Sequence, residues 1–141
     1  MNDKYDSLLL KNQLCFPLYA VSKEIISMYK PYLDPLGLTY TQYITMMVLW
    51  EHDDIMVKTL GERLFLDSGT LTPVLKKLEA HNYITRKRGT ENERNVYIKL
   101  TPVGLALKDK ALEVPKQIAQ CLDISPEDAK TLYKILYKIL D

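Results

Sequence analysis

The sequence predicts a mainly α fold with a small β-hairpin wing, a winged helix-turn-helix whose N- and C-terminal helices form a dimerisation domain. Three observations predict it. Two short segments with helical apolar spacing, 57–64 and 68–78, lie either side of a tight turn. Two alternating runs rich in β-branched and aromatic residues follow, separated by a polar tip that contains glycine. The terminal segments carry more apolar surface than a small monomer can bury. Together these make a helix-turn-helix with a charged hairpin and a second copy to cover its ends.

Each element has its own signal. From Leu14 to about Tyr32, apolar residues recur at helical spacing (Leu18, Val21, Ile25, Met28, Tyr29), and Pro31, Pro35 and Gly37 are expected to end the helix. Thr39-Tyr40-Thr41-Gln42 has the capping-box form and opens a second helix through Ile44, Met47 and Val48 to about Glu51. After the polar His52-Asp53-Asp54, residues Val57, Leu60 and Leu64 mark a short third helix. A fourth carries Leu71, Val74, Leu75 and Leu78 on one face. Pro73 requires it to start late, near Ser68 or Gly69, because proline is well tolerated only around the first turn. Residues 83–88 and 95–100 form the hairpin, with Gly89-Thr90-Glu91-Asn92-Glu93-Arg94 as a long tip. Thr101-Pro102, a capping residue followed by a proline, opens a helix expected to reach about Gln120 with a kink at Pro115. Ser125-Pro126-Glu127-Asp128 repeats that start signal for a last helix. Its Leu132, Ile135, Leu136, Ile139 and Leu140 are too many for the surface of a small monomer. The expected division is 1–38 for the N-terminal dimerisation helix and redox segment, 39–101 for the winged helix-turn-helix, and 102–141 for the C-terminal dimerisation helices.

Composition narrows the function classes. The chain has 141 residues, 47% hydrophobic and 26% charged, the make-up of an ordinary globular domain with one core. No run of ~18 apolar residues predicts a membrane span, and the start MNDKYDSLLLKNQ lacks the apolar stretch of a signal peptide. A cytoplasmic location follows as the expectation. Two distant cysteines without a CxxC or Cys/His cluster predict neither a structural disulfide nor a metal site, and no cofactor is expected.

The net charge of +1 hides a split. Between Lys58 and Lys99 nine basic residues face five acidic ones, so basic charge is concentrated in the middle of the chain. That is the footprint of a double-stranded DNA partner. If the fourth helix enters the major groove, its early polar positions Ser68, Thr70 and Thr72 meet bases and phosphates, and Lys76 and Lys77 meet phosphates one turn later. Arg94 at the wing tip suits a narrow minor groove, and Arg86 and Arg88 share one strand face that can lie along the backbone. A symmetric dimer would present two reading helices to a pseudo-palindromic operator, with half-sites roughly 34–36 Å apart.

The stretches LGERLFLDSGTLTPVLKKLE (60–79) and YITRKRGTENERNVYIKLT (83–101) resemble the MarR family of dimeric winged-helix repressors. NQLCFPLYAVSKEI (12–25), YLDPLGLTYTQYITMMVLWE (32–51) and FLDSGTLTP (65–73) are similar to its organic-hydroperoxide branch, the OhrR-like regulators, with staphylococcal redox regulators close by. The resemblance covers nearly all of the chain except about the last 25 residues. One departure stands in the wing, where the usual Asp-x-Arg reads Asn92-Glu93-Arg94. Asn92 still accepts a hydrogen bond but adds no charge.

The resemblance also assigns chemistry to Cys15. Pro17 lets the first helix begin no earlier than about Gln13, so the thiol lies in its first turn, where the helix dipole favours negative charge by ~0.3–1 kcal/mol. A reactive thiolate needs further donors. The resemblance supplies them as Tyr29 and Tyr40 of the partner chain, with Tyr19 close by. It implies oxidation of Cys15 to a sulfenic acid by an organic hydroperoxide, followed by release of DNA. Cys121 stands in the region where some relatives carry a resolving cysteine; an inert core position suits it equally well. Two other functions remain open at this point: a MarR-type repressor released by a small phenolic or lipophilic ligand, and a thiol peroxidase. Against the enzyme, no histidine or arginine lies near Cys15 in sequence, and the chain has only His52 and His81.

Overall fold

The computed structural model describes residues 3–141. Two 3-10 turns, Asp6–Leu8 and Leu10–Asn12, lead into α1 (Cys15–Leu33). The helix runs through Pro31 instead of ending there. Pro31 lies in the last turn, where it removes one amide bond, toward Ser27. The end beyond it is fixed by burial of Leu33, by the 3-10 turn Asp34–Leu36 and by Gly37 in the left-handed region at φ 68°. The capping box then forms as its residues dictate: the Gln42 amide donates to Thr39 Oγ1 at 3.3 Å, and the Thr39 amide donates to Gln42 Oε1 at 3.0 Å. It opens α2 (Tyr40–Glu51).

A strand that periodicity could not reveal comes next. Two-residue β1 (Ile55–Met56) pairs antiparallel with the second strand of the hairpin, placing Ile55 opposite Ile98. It leads directly into α3 (Val57–Leu64) and then α4 (Ser68–Ala80). The turn between them depends on a close approach: the Leu66 amide donates to Gly61 O at 2.9 Å, and a Cβ on Gly61 would stand 2.7 Å from Leu66 O. Asp67 caps α4 by accepting from the Thr70 amide at 2.7 Å. The start of α4 at Ser68 is the one Pro73 required, and it leaves the proline in the second turn of the helix. Pro73 removes the amide bond to Gly69, and the helix is carried past it by burial of Leu71, Leu75 and Leu78.

The wing pairs β2 (Ile84–Arg88) with β3 (Val96–Leu100), from Ile84 opposite Leu100 to Arg88 opposite Val96, in the sheet order β1-β3-β2. The single helix expected from Pro102 to about Gln120 is two: α5 (Pro102–Ala111) and α6 (Val114–Cys121), broken at Leu112-Glu113. Pro115 has no amide to give to the Ala111 carbonyl, so it opens a new helix instead of kinking an old one. Ser125 caps α7 (Pro126–Leu140).

One core joins these elements. Leu60, Leu71, Leu75 and Leu78 pack with Met46 and Leu49 of α2 and with Ile84 and Ile98 of the sheet, and the cluster continues through Leu107, Val114 and Ile118 to Leu33. Only the C-terminal half of α1 shares it. Leu14 remains 78% exposed and Val21 52%, so the apolar face read from the sequence is covered only from Ile25 onward. No residue of α7 is buried. Among the described residues no helix is long and apolar enough to cross a membrane, and no group of three metal-ligating side chains occurs.

Candidate nucleic-acid interface and thiol site

The candidate reading face is built by α3, α4 and the wing, which border an open cleft of about 950 Å³. Ser68 and Thr70 are exposed in the first turn of α4, and Lys76 and Lys77 project from its solvent side. Thr72 is partly covered and donates its hydroxyl to Ser68 O at 2.6 Å, leaving only acceptor capacity free. Arg94 is exposed on the wing, and its backbone amide donates to Asn92 Oδ1 at 3.0 Å. The asparagine therefore makes the bond expected of an aspartate there, without the charge. Arg88 is exposed at the end of β2.

Arg86 differs from the other basic residues. Its Nη2 and Nε donate to Glu79 Oε1 at 3.0 and 3.3 Å, and its backbone amide donates to Glu79 Oε2 at 3.2 Å. The guanidinium in turn holds the Glu79 carboxyl below its ordinary range. Sequence reasoning missed Glu79, because nothing in a helix pattern says which strand residue its last turn will face. It also missed Asp67, whose carboxyl is held low by the Thr70 amide it caps; its position just ahead of the helix was the available signal.

The thiol site is split within one chain. Cys15 is exposed at the first position of α1, whose starting amides have no side-chain cap. Tyr19 lies one turn on, also exposed, with Lys23 Nζ 5.3 Å from its ring centroid. Tyr29 is fourteen positions along the same helix, or ~21 Å at 1.5 Å per residue. It packs against Tyr40 with ring centroids 4.9 Å apart, and against Tyr43 at 5.8 Å. So the structure brings Tyr29 and Tyr40 together and leaves Cys15 and Tyr19 at the far end. Tyr43, buried beside them, is a third member that the sequence reading missed although it sits one turn after Tyr40. Among the described residues none of the three hydroxyls has a hydrogen-bond partner. Burial pushes all three phenols above their ordinary range, so they keep their protons as donors.

Cys121 is exposed at the end of α6, with its Sγ 3.4 Å from the Tyr32 hydroxyl. Tyr32 follows Cys15 by seventeen positions on α1, or ~25 Å. A disulfide needs Cα atoms within ~7 Å, so Cys15 and Cys121 of one chain cannot pair.

A family model described as transcriptional regulator SarA/Rot matches residues 27–111. The organic hydroperoxide resistance transcriptional regulator of Bacillus subtilis (strain 168) is 50% identical over 141 residues, covering 100% of this chain and 96% of its own. AbfR of Staphylococcus epidermidis, in its reduced form bound to DNA, superposes with a TM-score of 0.79 at 34% identity, covering 97% of this chain and 95% of that one. Its disulfide-containing form gives 0.67 at 33% identity, covering 98% and 97%. The conformation of this chain is thus nearer to the DNA-bound form of that relative than to the disulfide form.

Proposed function

We infer the function from membership: the chain belongs to the MarR family of winged-helix transcriptional regulators, in its organic-hydroperoxide-resistance branch. It is a regulator that binds double-stranded DNA, not an enzyme. The finer reading is a homodimeric repressor that senses organic hydroperoxides at Cys15. One observation carries it: a thiol and a set of unpartnered phenol donors occupy opposite ends of one helix whose first half is uncovered. Two α1 helices crossing antiparallel about a two-fold axis bring each Cys15 to Tyr29 and Tyr40 of the other chain, and cover Leu14 and Val21. The apolar face of α7 supplies the rest of the contact.

At that site the phenols donate to a thiolate and favour it over the thiol. The thiolate attacks the outer oxygen of the hydroperoxide. The S–O bond forms as the O–O bond breaks, and the alkoxide leaves as an alcohol after taking a proton, giving a sulfenic acid. The lost charge and added oxygen disturb the tyrosines, which sit on α1 and α2 against the core of the reading domain. Ser68, Thr70, Thr72, Lys76, Lys77, Arg88 and Arg94 then lose their spacing on the two half-sites. Cys121 is free to resolve the sulfenic acid only across the dimer, with loss of water.

The test is a DNA-binding titration of the wild type, Cys15→Ser and Cys121→Ser, with and without cumene hydroperoxide, on a duplex that the wild-type protein has selected from a random pool. Wild type is expected to be released and Cys15→Ser to stay bound. Release of Cys15→Ser would end the sensor reading and favour a ligand-released regulator. If Cys121→Ser matches the wild type and the oxidised wild type shows no intersubunit disulfide, the resolving role falls.

A further inference from the structure

We propose that Glu79 and Arg86 form a strut that sets the wing on the reading helix, making Arg86 a positioning residue and not a phosphate ligand. The proposal rests on the DNA-binding reading above and goes beyond it. Glu79 stands in the last turn of α4, next to buried Leu78, while Arg86 is the middle residue of β2. β2 is an edge strand in the order β1-β3-β2, so its outward amides have no strand partner. Glu79 takes up one of them, the Arg86 amide, with Oε2. It holds the guanidinium of the same residue with Oε1, at 3.0 and 3.3 Å. The carboxylate thus grips the strand's backbone as well as the side chain. A pair serving charge alone would have no need of the amide.

The strut stands where it governs the reading cleft. Arg86 lines that cleft together with Ser68 and Thr72 from α4 and Arg94 from the wing. Fixing β2 to the end of α4 fixes the distance between the helix positions that read the groove and the arginine that enters beside it. The pair is also neutral as a unit, so Arg86 adds little to the general attraction for phosphate. Lys76, Lys77, Arg88 and Arg94, none of which has an ion-pair partner among the described residues, supply that attraction.

A double-mutant cycle with salt titration separates the two roles. The proteins are wild type, Glu79→Ala, Glu79→Gln, Arg86→Ala and Glu79→Ala/Arg86→Ala, on the duplex selected by the wild type and on a scrambled duplex. A strut predicts that either alanine weakens the selected duplex about tenfold, the scale of one charge-assisted hydrogen bond lost. The double variant is then no worse than the worse single one. It also predicts that the slope of log affinity against log salt is unchanged in Arg86→Ala. Glu79→Gln, which keeps the shape and the amide bond, retains the wild-type urea midpoint and loses less. The proposal is overturned if Arg86→Ala lowers the salt slope by about 0.9, as loss of one phosphate contact does, while Glu79→Ala binds as well as the wild type or better. It is equally overturned if every variant binds as the wild type does. If the wild type selects no sequence at all, the DNA-binding reading fails and the strut falls with it.

Discussion

Gly104→Ala puts the join between the wing and α5 under a defined strain. The first turn of α5 lies directly on the backbone at the start of β2, where a Cβ on residue 104 would fall 2.0 Å from Tyr83 O and 2.9 Å from its carbonyl carbon. Ordinary contact begins at about 3.4 Å, so helix and strand must part by about 1.4 Å. Three hydrogen bonds hold the same join: the Thr101 amide to Tyr83 O at 3.1 Å, the Thr101 hydroxyl to Asn82 O at 2.6 Å, and the Trp50 indole to Gly104 O at 2.9 Å. Losing two of them costs about 2 kcal/mol, and strain in the packed neighbourhood adds ~1 kcal/mol or more. A total on the order of 3 kcal/mol is a large fraction of the 5–15 kcal/mol that holds a typical domain together. Urea unfolding followed by fluorescence reads it out cleanly, because Trp50 is the only tryptophan and sits in the join. A loss below about 0.5 kcal/mol, within the usual range of surface substitutions, would refute the reasoning.

Two further predictions concern the tyrosines and the wing. The raised phenols of Tyr29, Tyr40 and Tyr43 contribute stability that is fully present below the ordinary tyrosine value and is lost as pH rises through the folded one. Ultraviolet titration of the native protein should lag behind that of the urea-unfolded chain, and Tyr29→Phe should shrink the lag; coincident curves would contradict the burial argument. Asn92→Asp should raise the ratio of affinities for selected and scrambled duplexes. The carboxylate would hold the Arg94 amide by a charge-assisted bond while its charge is repelled by phosphate in general. A lower ratio would show that the wing tip does not position Arg94.

The parts of this fold that were legible in the sequence are those written in local chemistry. Thr39 with Gln42, Thr101 with Pro102, and Ser125 each announced a helix start, because a cap is made by residues within one turn. The alternation in 83–88 and 95–100 likewise gave the wing. What was not legible depends on contacts distant in sequence. Pro31 reads as a stop, yet α1 continues for two residues because Leu33 has a core to enter. β1 exists only because Ile98 waits opposite Ile55. Pro115 reads as a kink, and whether a proline bends or divides a helix depends on the packing around it. In the candidate site, resemblance nominated Cys15, Tyr29 and Tyr40, but the separation of Cys15 from Tyr29 along α1, and the packing of Tyr40 of α2 beside Tyr29, needed the structure. The grip of Glu79 on Arg86 spans the corner between α4 and β2, and neither residue signals the other.

The central claim is that the thiol of one chain answers to the tyrosines of the other, and mixed dimers test it most directly. One chain carries Cys15→Ser; the other keeps Cys15 but carries Tyr29→Phe and Tyr40→Phe. Each homodimer should respond poorly to cumene hydroperoxide, the first for want of a thiol and the second because its thiolate has lost its donors, with oxidation slowed about tenfold or more. In the proposed arrangement the remaining Cys15 of the mixed dimer would face two intact tyrosines across the interface. The account predicts that it regains the wild-type rate of sulfenic acid formation. A mixed dimer as slow as the double-tyrosine homodimer would contradict it.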